Sequence, residues 1–377
     1  SSMIGDPQSY LGKSEEELDS PLLLVDLDVM ERNLRNQAAY CHSHGIRLWP
    51  HTKTHKSLSI AKRQLDLGAK GLTVAKVSEA EVMAQSGTRH LLVAYPVHGP
   101  EKCEQLARLA TTLELTVAVD SLSCAEGLSL AAKQTGSKIH ILVDIDVGMR
   151  RTGVSSPQLA AELGCAVEKL PGLVLHGLFF YPGHIYGPPT DQAQQLGEVK
   201  ALLTETRKIF SEHGLCCERI NGGSTPTART SVLIAGQNEM RPGTYVFQDR
   251  NYWGLGHCGL DDCALTVLST VISTSVPGGF ILDAGSKTLS EDRWLGGNTK
   301  GYGRILGHAP EWEIEILSEE HGHVTCAPDA APPRVGDHVR ILPNHVCPVV
   351  NLHDFYLGVR NDRVEEVFTT DGRGCNR

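Results

Sequence analysis

The chain has 377 residues, of which 41% are hydrophobic and 21% charged, with a formal charge of -9. That is the profile of an ordinary globular protein long enough for two domains. A net negative charge leaves no basic footprint, so nucleic acid and anionic membrane surfaces are not expected as partners. There is no uninterrupted apolar run near about 18 residues, and the start, Ser-Ser-Met-Ile-Gly-Asp, has no basic region leading into an apolar one. Eleven cysteines, an odd number scattered along the chain, do not resemble a disulfide framework. Reduced thiols in a cytoplasmic protein are the expectation.

Short runs rich in Val, Ile and Leu recur at Ile46–Trp49, Gly71–Val74, His90–Ala94, Leu115–Val119, Ile139–Ile145, Leu173–Phe180, Cys217–Asn221 and Thr244–Phe247. Helical spacing lies between them: a helix N-capped near Asp28 with Met30, Leu34, Ala38 and Cys41 on one face, one from Ser78 to Gly87, and one over Asp191–His213. Eight strands alternating with helices imply a parallel sheet, and eight is the number that closes a barrel. The expected fold is therefore α/β, a (β/α)8 TIM-type barrel over residues 24–248. Beyond residue 250 the pattern changes to strands at 263–272, 279–283, 312–317, 338–342 and 363–368, with no convincing helix between them. These predict a second, mainly antiparallel β domain.

In such a barrel the working residues sit at the C-terminal ends of the strands. The first strand runs into Pro50-His51-Thr52-Lys53-Thr54-His55-Lys56, which places Lys53 at the rim as a candidate Schiff-base nucleophile. An amine that attacks carbonyls needs a lowered pKa, and Lys56, three residues on, is a candidate source of positive charge for this. The fifth strand ends in Asp146-Val147-Gly148-Met149-Arg150-Arg151-Thr152-Gly153, and the sixth in Tyr181-Pro182-Gly183-His184. The seventh ends in Asn221-Gly222-Gly223-Ser224-Thr225, and the eighth region carries Arg241-Pro242-Gly243-Thr244-Tyr245. Glycines beside hydroxyl residues after the last two strands suit a phosphate, since they offer close backbone N–H groups and hydroxyl donors. A rim lysine with a phosphate cradle of Ser224, Thr225, Gly243 and Thr244 suggests pyridoxal phosphate.

Here the chain resembles the fold-type III pyridoxal phosphate enzymes, the alanine-racemase-like barrels, and within them the D-threonine aldolase and D-serine dehydratase branch. Pro50–Lys56 matches that branch's lysine motif, whose first lysine carries the cofactor. The Asp146–Gly153 segment matches Asp-x-Gly-Met-x-Arg-x-Gly, whose arginine, here Arg151, lies near the cofactor. The resemblance implies a cofactor set of Lys53, Arg151, Tyr181, Ser224, Thr225, Gly243 and Thr244. It also implies that residues 1–23 join residues 249–377 in the β domain, and that the enzyme is a homodimer acting on a small amino acid.

Leu342-Pro343-Asn344-His345-Val346-Cys347 puts an imidazole and a thiol two residues apart, which on a strand points both to one side. One divalent cation takes both; nitrogen plus sulfur suits zinc or another borderline metal, with manganese and magnesium as the other possibilities. The family's metal motif occupies this place, with His-x-Asp in the aldolases and His-x-Cys in the dehydratases. Cys347 follows the dehydratases, whereas His184 and the segment Asn351-Leu352-His353-Asp354 follow the aldolases. The preferred expectation is a metal-dependent lyase that cleaves β-hydroxy-D-amino acids to glycine and an aldehyde, with Lys53 and His184 as catalytic residues. The alternative is a dehydratase acting on D-serine or D-threo-3-hydroxyaspartate. A racemase using Tyr302 or Tyr356 as a second base, or a non-catalytic cofactor carrier, leaves the metal pair without a role.

Overall fold

The computed structural model describes residues 5–234, 236–295, 301–308 and 312–377. Its seventeen strands are β1 Leu22–Asp26, β2 Arg47–Leu48, β3 Leu72–Val74, β4 His90–Val93, β5 Glu114–Val119, β6 Ile139–Asp144, β7 Leu173–Phe179, β8 Arg219–Gly222, β9 Glu239–Met240, β10 Leu265–Ser273, β11 Gly279–Leu282, β12 Arg304–Leu306, β13 Ile314–Leu317, β14 Gly322–Thr325, β15 His338–Leu342, β16 Phe355–Arg360 and β17 Arg363–Thr369. The chain divides into two compact units.

The barrel unit comprises Asn36–Lys53, Leu58–Gly243 and Gly374–Arg377. Its eight strands follow the order β2-β9-β8-β7-β6-β5-β4-β3, all parallel. The two ends join where Thr52 N–H donates to the Thr73 carbonyl at 2.8 Å and Thr73 N–H donates to that of Pro50 at 2.9 Å, so the sheet closes. Helices follow the strands: α1 Leu27–Ser43 enters the unit, and α2 Leu58–Asp66, α3 Val77–Met83, α4 Pro100–Leu109, α5 Leu122–Thr135, α6 Pro157–Glu168 and α7 Ala193–Glu212 follow β2 to β7. Strands covered on both faces read as continuous apolar runs. Accordingly Leu91, Val117, Ile141 and Leu175 pack outward against the helices, while Leu92, Ala118, Leu142 and Phe179 meet Trp49 inside.

One expected barrel strand is displaced. The apolar run Thr244–Phe247 is not the eighth strand; it begins as a 3-10 turn, Thr244–Val246. The eighth strand is the two-residue β9, whose Glu239 is neutralised by Arg47 at 3.1 Å and Arg219 at 2.9 Å. A buried carboxylate tolerated by two guanidinium partners is what an apolar pattern misses.

The β unit comprises the residues through Arg35, Thr54–Ser57 and Thr244–Arg373. Its sheet runs β13-β14-β11-β10-β1-β16-β17, with β15 pairing β10 and β12. It is antiparallel except where β1 pairs β16. Short helices do interrupt this part of the chain: α8 Arg250–Gly254, α9 Ser286–Leu289 and α10 Val346–Asn351. Asp249 caps α8 by accepting from Tyr252 N–H at 3.1 Å. The expectation of no helix after residue 250 is corrected to that extent. None of the eleven cysteines forms a disulfide, and no described helix is long and apolar enough to cross a membrane.

Candidate active site

The C-terminal ends of the barrel strands gather most of the expected residues. Within residues 51–57 every side chain is buried except that of Lys53, which is exposed. Its neighbours hold it there. Thr52 donates its hydroxyl to the buried carboxylate of Glu79 at 2.9 Å, and Lys53 N–H donates to His51 Nδ1 at 3.3 Å. Lys56 is committed elsewhere, in the β unit, where its Nζ donates to Asn351 Oδ1 at 2.8 Å and its carbonyl accepts from Gly372 N–H. Exposure therefore separates two lysines that the motif alone presents side by side.

After β6, Asp146 Oδ1 accepts the N–H groups of Gly148 and Arg150 at 2.9 and 3.0 Å. This tight turn carries Arg151, whose guanidinium lies 4.5 Å from the centre of the Tyr181 ring. After β7, the His184 ring packs on Gly148; a Cβ built there would lie 2.5 Å from His184 Nε2, and φ is +133°. Only glycine suits that position. His184 Nδ1 is buried without a hydrogen-bond partner among the described residues. Burial lowers the pKa of the ring from its ordinary value, against the opposing pull of Asp146 and Glu198.

After β8, a Cβ at Gly222 would lie 2.0 Å from the Phe180 ring, so the backbone entering Gly223-Ser224-Thr225 is pressed against aromatic carbon. Ser224 and Thr225 are buried, and Ser224 N–H donates to Thr227 Oγ1 at 3.2 Å. Beneath this turn the buried Arg241 donates to Asn221 Oδ1 at 2.6 Å and to the Phe180 carbonyl, and stacks 3.6 Å from the centre of the Phe179 ring. Sequence reading gave Arg241 no task. It ties the ends of β7, β8 and β9 together, and an arginine before Pro-Gly at a rim was its only signal.

The β unit holds the His345 and Cys347 pair. They are not on a strand, as their spacing suggested: His345 is the N-cap of α10 and Cys347 lies in its first turn. The two side chains still interact. Burial lowers the His345 pKa, but the Cys347 sulfur and the Asp292 carboxylate outweigh it, pushing it up to about 11. His345 Nδ1 is joined to Asp292 Oδ2 at 2.7 Å. Cys347 Sγ lies 3.2 Å from Thr54 Oγ1 and 3.6 Å from Thr244 Oγ1. Asp249 Oδ2 accepts from Val346 N–H at 3.2 Å. Neither Asp292 nor Asp249 was identified from sequence, since they stand 53 and 97 positions from their partners. Among the described residues there is no group of three or more His, Cys, Asp or Glu placed to hold a metal.

Tyr356, considered as a racemase base, is fully buried. Its hydroxyl donates to the His55 carbonyl at 2.7 Å and its ring stacks on Phe368.

An exposed primary amine, an arginine on an aromatic ring, and buried hydroxyls beside bare glycine backbone suit an aromatic aldehyde that carries a phosphate. That donor set, at the C-terminal rim of a parallel barrel, defines a pyridoxal phosphate enzyme. The family model for the alanine racemase N-terminal domain matches residues 25–251, and that for a serine dehydratase domain matches 264–359. The chain is 33% identical to a D-threonine aldolase of Arthrobacter sp. over 98% of this chain and 97% of that one. It is 34% identical to a 3-hydroxy-D-aspartate aldolase of Paracoccus denitrificans over 96% and 94%. Among solved structures it is similar to a D-threonine aldolase from Filomicrobium marinum, with a TM-score of 0.90 and 34% identity over 97% of this chain and 99% of that one. A cysteine-to-alanine mutant of a D-threo-3-hydroxyaspartate dehydratase, in the metal-free form, matches with a TM-score of 0.88 and 29% identity over 95% and 99%. The chain belongs to the fold-type III pyridoxal phosphate enzymes, in the lyase branch of the D-threonine aldolases and D-serine dehydratases.

Proposed function

We propose that the chain is a metal-dependent lyase that cleaves β-hydroxy-D-amino acids to glycine and an aldehyde. The observation that carries the aldolase reading is the His184 ring, packed on Gly148 with a buried, unpartnered Nδ1 and a pKa lowered by burial. Such an imidazole stays neutral and has a nitrogen to spare, which is what a base acting on a hydroxyl needs.

Pyridoxal phosphate, when bound, supplies a carbonyl for an amine and an electron sink for the carbon next to the substrate's amino group. Lys53 would hold it through its aldehyde, Ser224, Thr225, Gly243 and Thr244 would offer donors to its phosphate, and Tyr181 and Arg151 would complete the cofactor set. His345 and Cys347 would hold a divalent cation, zinc, manganese or magnesium, which would supply Lewis-acid chemistry for the substrate's β-hydroxyl. Asp292 fixes the His345 tautomer through Nδ1, as outer-sphere carboxylates do for ligating histidines. His184 takes the hydroxyl proton as the Cα–Cβ bond breaks. The hydroxyl oxygen becomes the aldehyde carbonyl, and a proton returned to Cα completes glycine. The protein acts in the cytoplasm as a homodimer on this reading.

Cys347 favours a second reading, β-elimination to a 2-oxo acid and ammonia, in which Lys53 removes the α-proton. Assay with D-threonine and D-serine, with added Mn2+ or Zn2+, tests the choice. Acetaldehyde and glycine from D-threonine are expected; pyruvate and ammonia from D-serine, with no acetaldehyde from D-threonine, would replace the aldolase by the dehydratase.

A further inference from the structure

Between α8 and β10 the β unit carries His257-Cys258-Gly259-Leu260-Asp261-Asp262-Cys263, a segment with no task in the reaction above. Leu260–Asp262 form a single 3-10 turn, whose bonds fold the segment back on itself. Gly259 N–H donates to Asp262 Oδ2 at 2.8 Å, Asp262 N–H to the Gly259 carbonyl at 3.1 Å and Cys263 N–H to the Leu260 carbonyl at 3.0 Å. Two residues of α1 hold the turn from outside: Arg32 Nη2 donates to the Asp261 carbonyl at 2.8 Å, and Asn33 Nδ2 to that of Asp262 at 2.9 Å. A turn closed at both ends brings its flanking residues together, and the Cys263 thiol is hydrogen-bonded to Cys258.

Both side chains are partly exposed, whereas Cys41, Cys103, Cys124 and Cys326 are buried. The two thiols are not equivalent. Cys263 Sγ lies 3.6 Å from the Asp249 carbonyl oxygen and 3.9 Å from that of Gly259. Such oxygens accept an S–H and repel a thiolate. The hydrogen bond with Cys258 and burial act in the same direction, holding the Cys263 thiol well above the ordinary thiol range. Thiols attack as thiolates, so Cys258 is the nucleophile of the pair. Cys263 is the resolving thiol, kept protonated until Cys258 has reacted.

We infer that Cys258 and Cys263 are a redox-active pair, closed reversibly to a disulfide by a small disulfide such as oxidised glutathione, with Cys258 attacking first. The Cys258 thiolate attacks one sulfur of glutathione disulfide and displaces one glutathione thiolate, leaving a mixed disulfide on Cys258. Cys263 then loses its proton and attacks the Cys258 sulfur, and the second glutathione leaves. The two glutathione thiolates take up the two protons lost by the protein. The pair is thus oxidised by two electrons while glutathione disulfide is reduced to two thiols. Closure withdraws the Cys263 S–H from the Asp249 carbonyl, and Asp249 also caps α8 and accepts from Val346 N–H at the start of α10 at 3.2 Å. In a reducing compartment such a bond is a sensor rather than a staple.

Equilibration of the cofactor-loaded enzyme in a series of glutathione redox buffers tests this, followed by acid quenching, alkylation of the unfolded chain and digestion with trypsin. Cleavage after Arg250 and Lys287 puts both thiols on one peptide that holds no other cysteine. In oxidising buffers that leave the peptides of the buried Cys103 and Cys124 alkylated, that peptide is expected to be unalkylated and two hydrogens lighter, and dithiothreitol to reverse the change. Cys263→Ser is expected to trap glutathione on Cys258, while Cys258→Ser leaves Cys263 unmodified in the same buffer. A parent peptide alkylated at both thiols in every buffer overturns the inference and needs no variant to fold. So does closure only where the Cys103 and Cys124 peptides are also oxidised, which marks unfolding rather than a built pair. Equal or reversed trapping in the two variants overturns the order of attack.

Discussion

Gly148 and His184 define each other: a methyl group in place of the Gly148 hydrogen would lie 2.5 Å from His184 Nε2. The turn after β6 therefore sets where the imidazole after β7 stands. Gly148→Ala is expected to displace the ring and reduce turnover by up to about 10²-fold, the scale for misplacing a catalytic group by about 1 Å. His184→Asn removes the base and is expected to cost about 10²- to 10⁴-fold. Both variants should retain the visible absorbance of the lysine-bound cofactor. Full activity in His184→Asn would remove the proposed base.

The two motif lysines separate by spectrum and by stability. Lys53→Ala is expected to lose the cofactor's visible band while melting like the parent. Lys56→Ala is expected to keep the band but lose about 1–3 kcal/mol of stability, because it abandons a part-buried, charge-assisted hydrogen bond to Asn351. Denaturant melts and absorbance spectra of the two variants check this, and a reversed pattern refutes the assignment.

Burial disfavours the imidazolium form of His184, so the neutral base persists to lower pH than for an ordinary histidine. Cleavage should fall as pH drops through that lowered pKa, placing the acid limb of the rate profile below the ordinary value of 6.5. A limb at or above that value, or one unchanged in a variant lacking His184, contradicts the assignment.

Metal removal is the next test. Dialysis against a chelator is expected to abolish cleavage, and Mn2+ or Zn2+ to restore it. Asp292→Ala should weaken metal affinity about 10- to 100-fold, as loss of an outer-sphere carboxylate does; metal content after gel filtration measures it. Activity indifferent to chelator removes the role proposed for His345 and Cys347.

Asp144 supplies a stability signature. Burial pushes its carboxyl from 3.8 up to about 6, despite the Thr152 hydroxyl and the charge of Arg241. The folded pKa exceeds the unfolded one, so the stabilisation is complete below 3.8 and lost as pH rises through about 6. Asp144→Asn cannot ionise and should flatten that stretch of the stability curve in denaturant titrations across the two values.

Much of the architecture was legible because buried parallel strands are written as apolar runs. Seven of the eight barrel runs coincide with strands, and the segments ending them carry Lys53, Arg151, Tyr181, His184 and Ser224. The eighth did not coincide, because β9 holds a carboxylate that becomes tolerable only beside Arg47 and Arg219, from strands distant in sequence. The pairing of β1 with β10 and β16 was invisible for the same reason: a register linking Leu24 to Leu357 and Thr266 leaves no local pattern.

By itself the sequence determined the parallel barrel, the order of chemical groups around its rim and the spacing of His345 and Cys347, since these follow from periodicity and adjacency along the chain. Tertiary structure alone decided which motif lysine is exposed, which glycine seats His184 and which carboxylate orients His345. Each of those depends on groups brought within a few ångströms across tens or hundreds of residues, where burial and partner charge, not residue type, set what a side chain does.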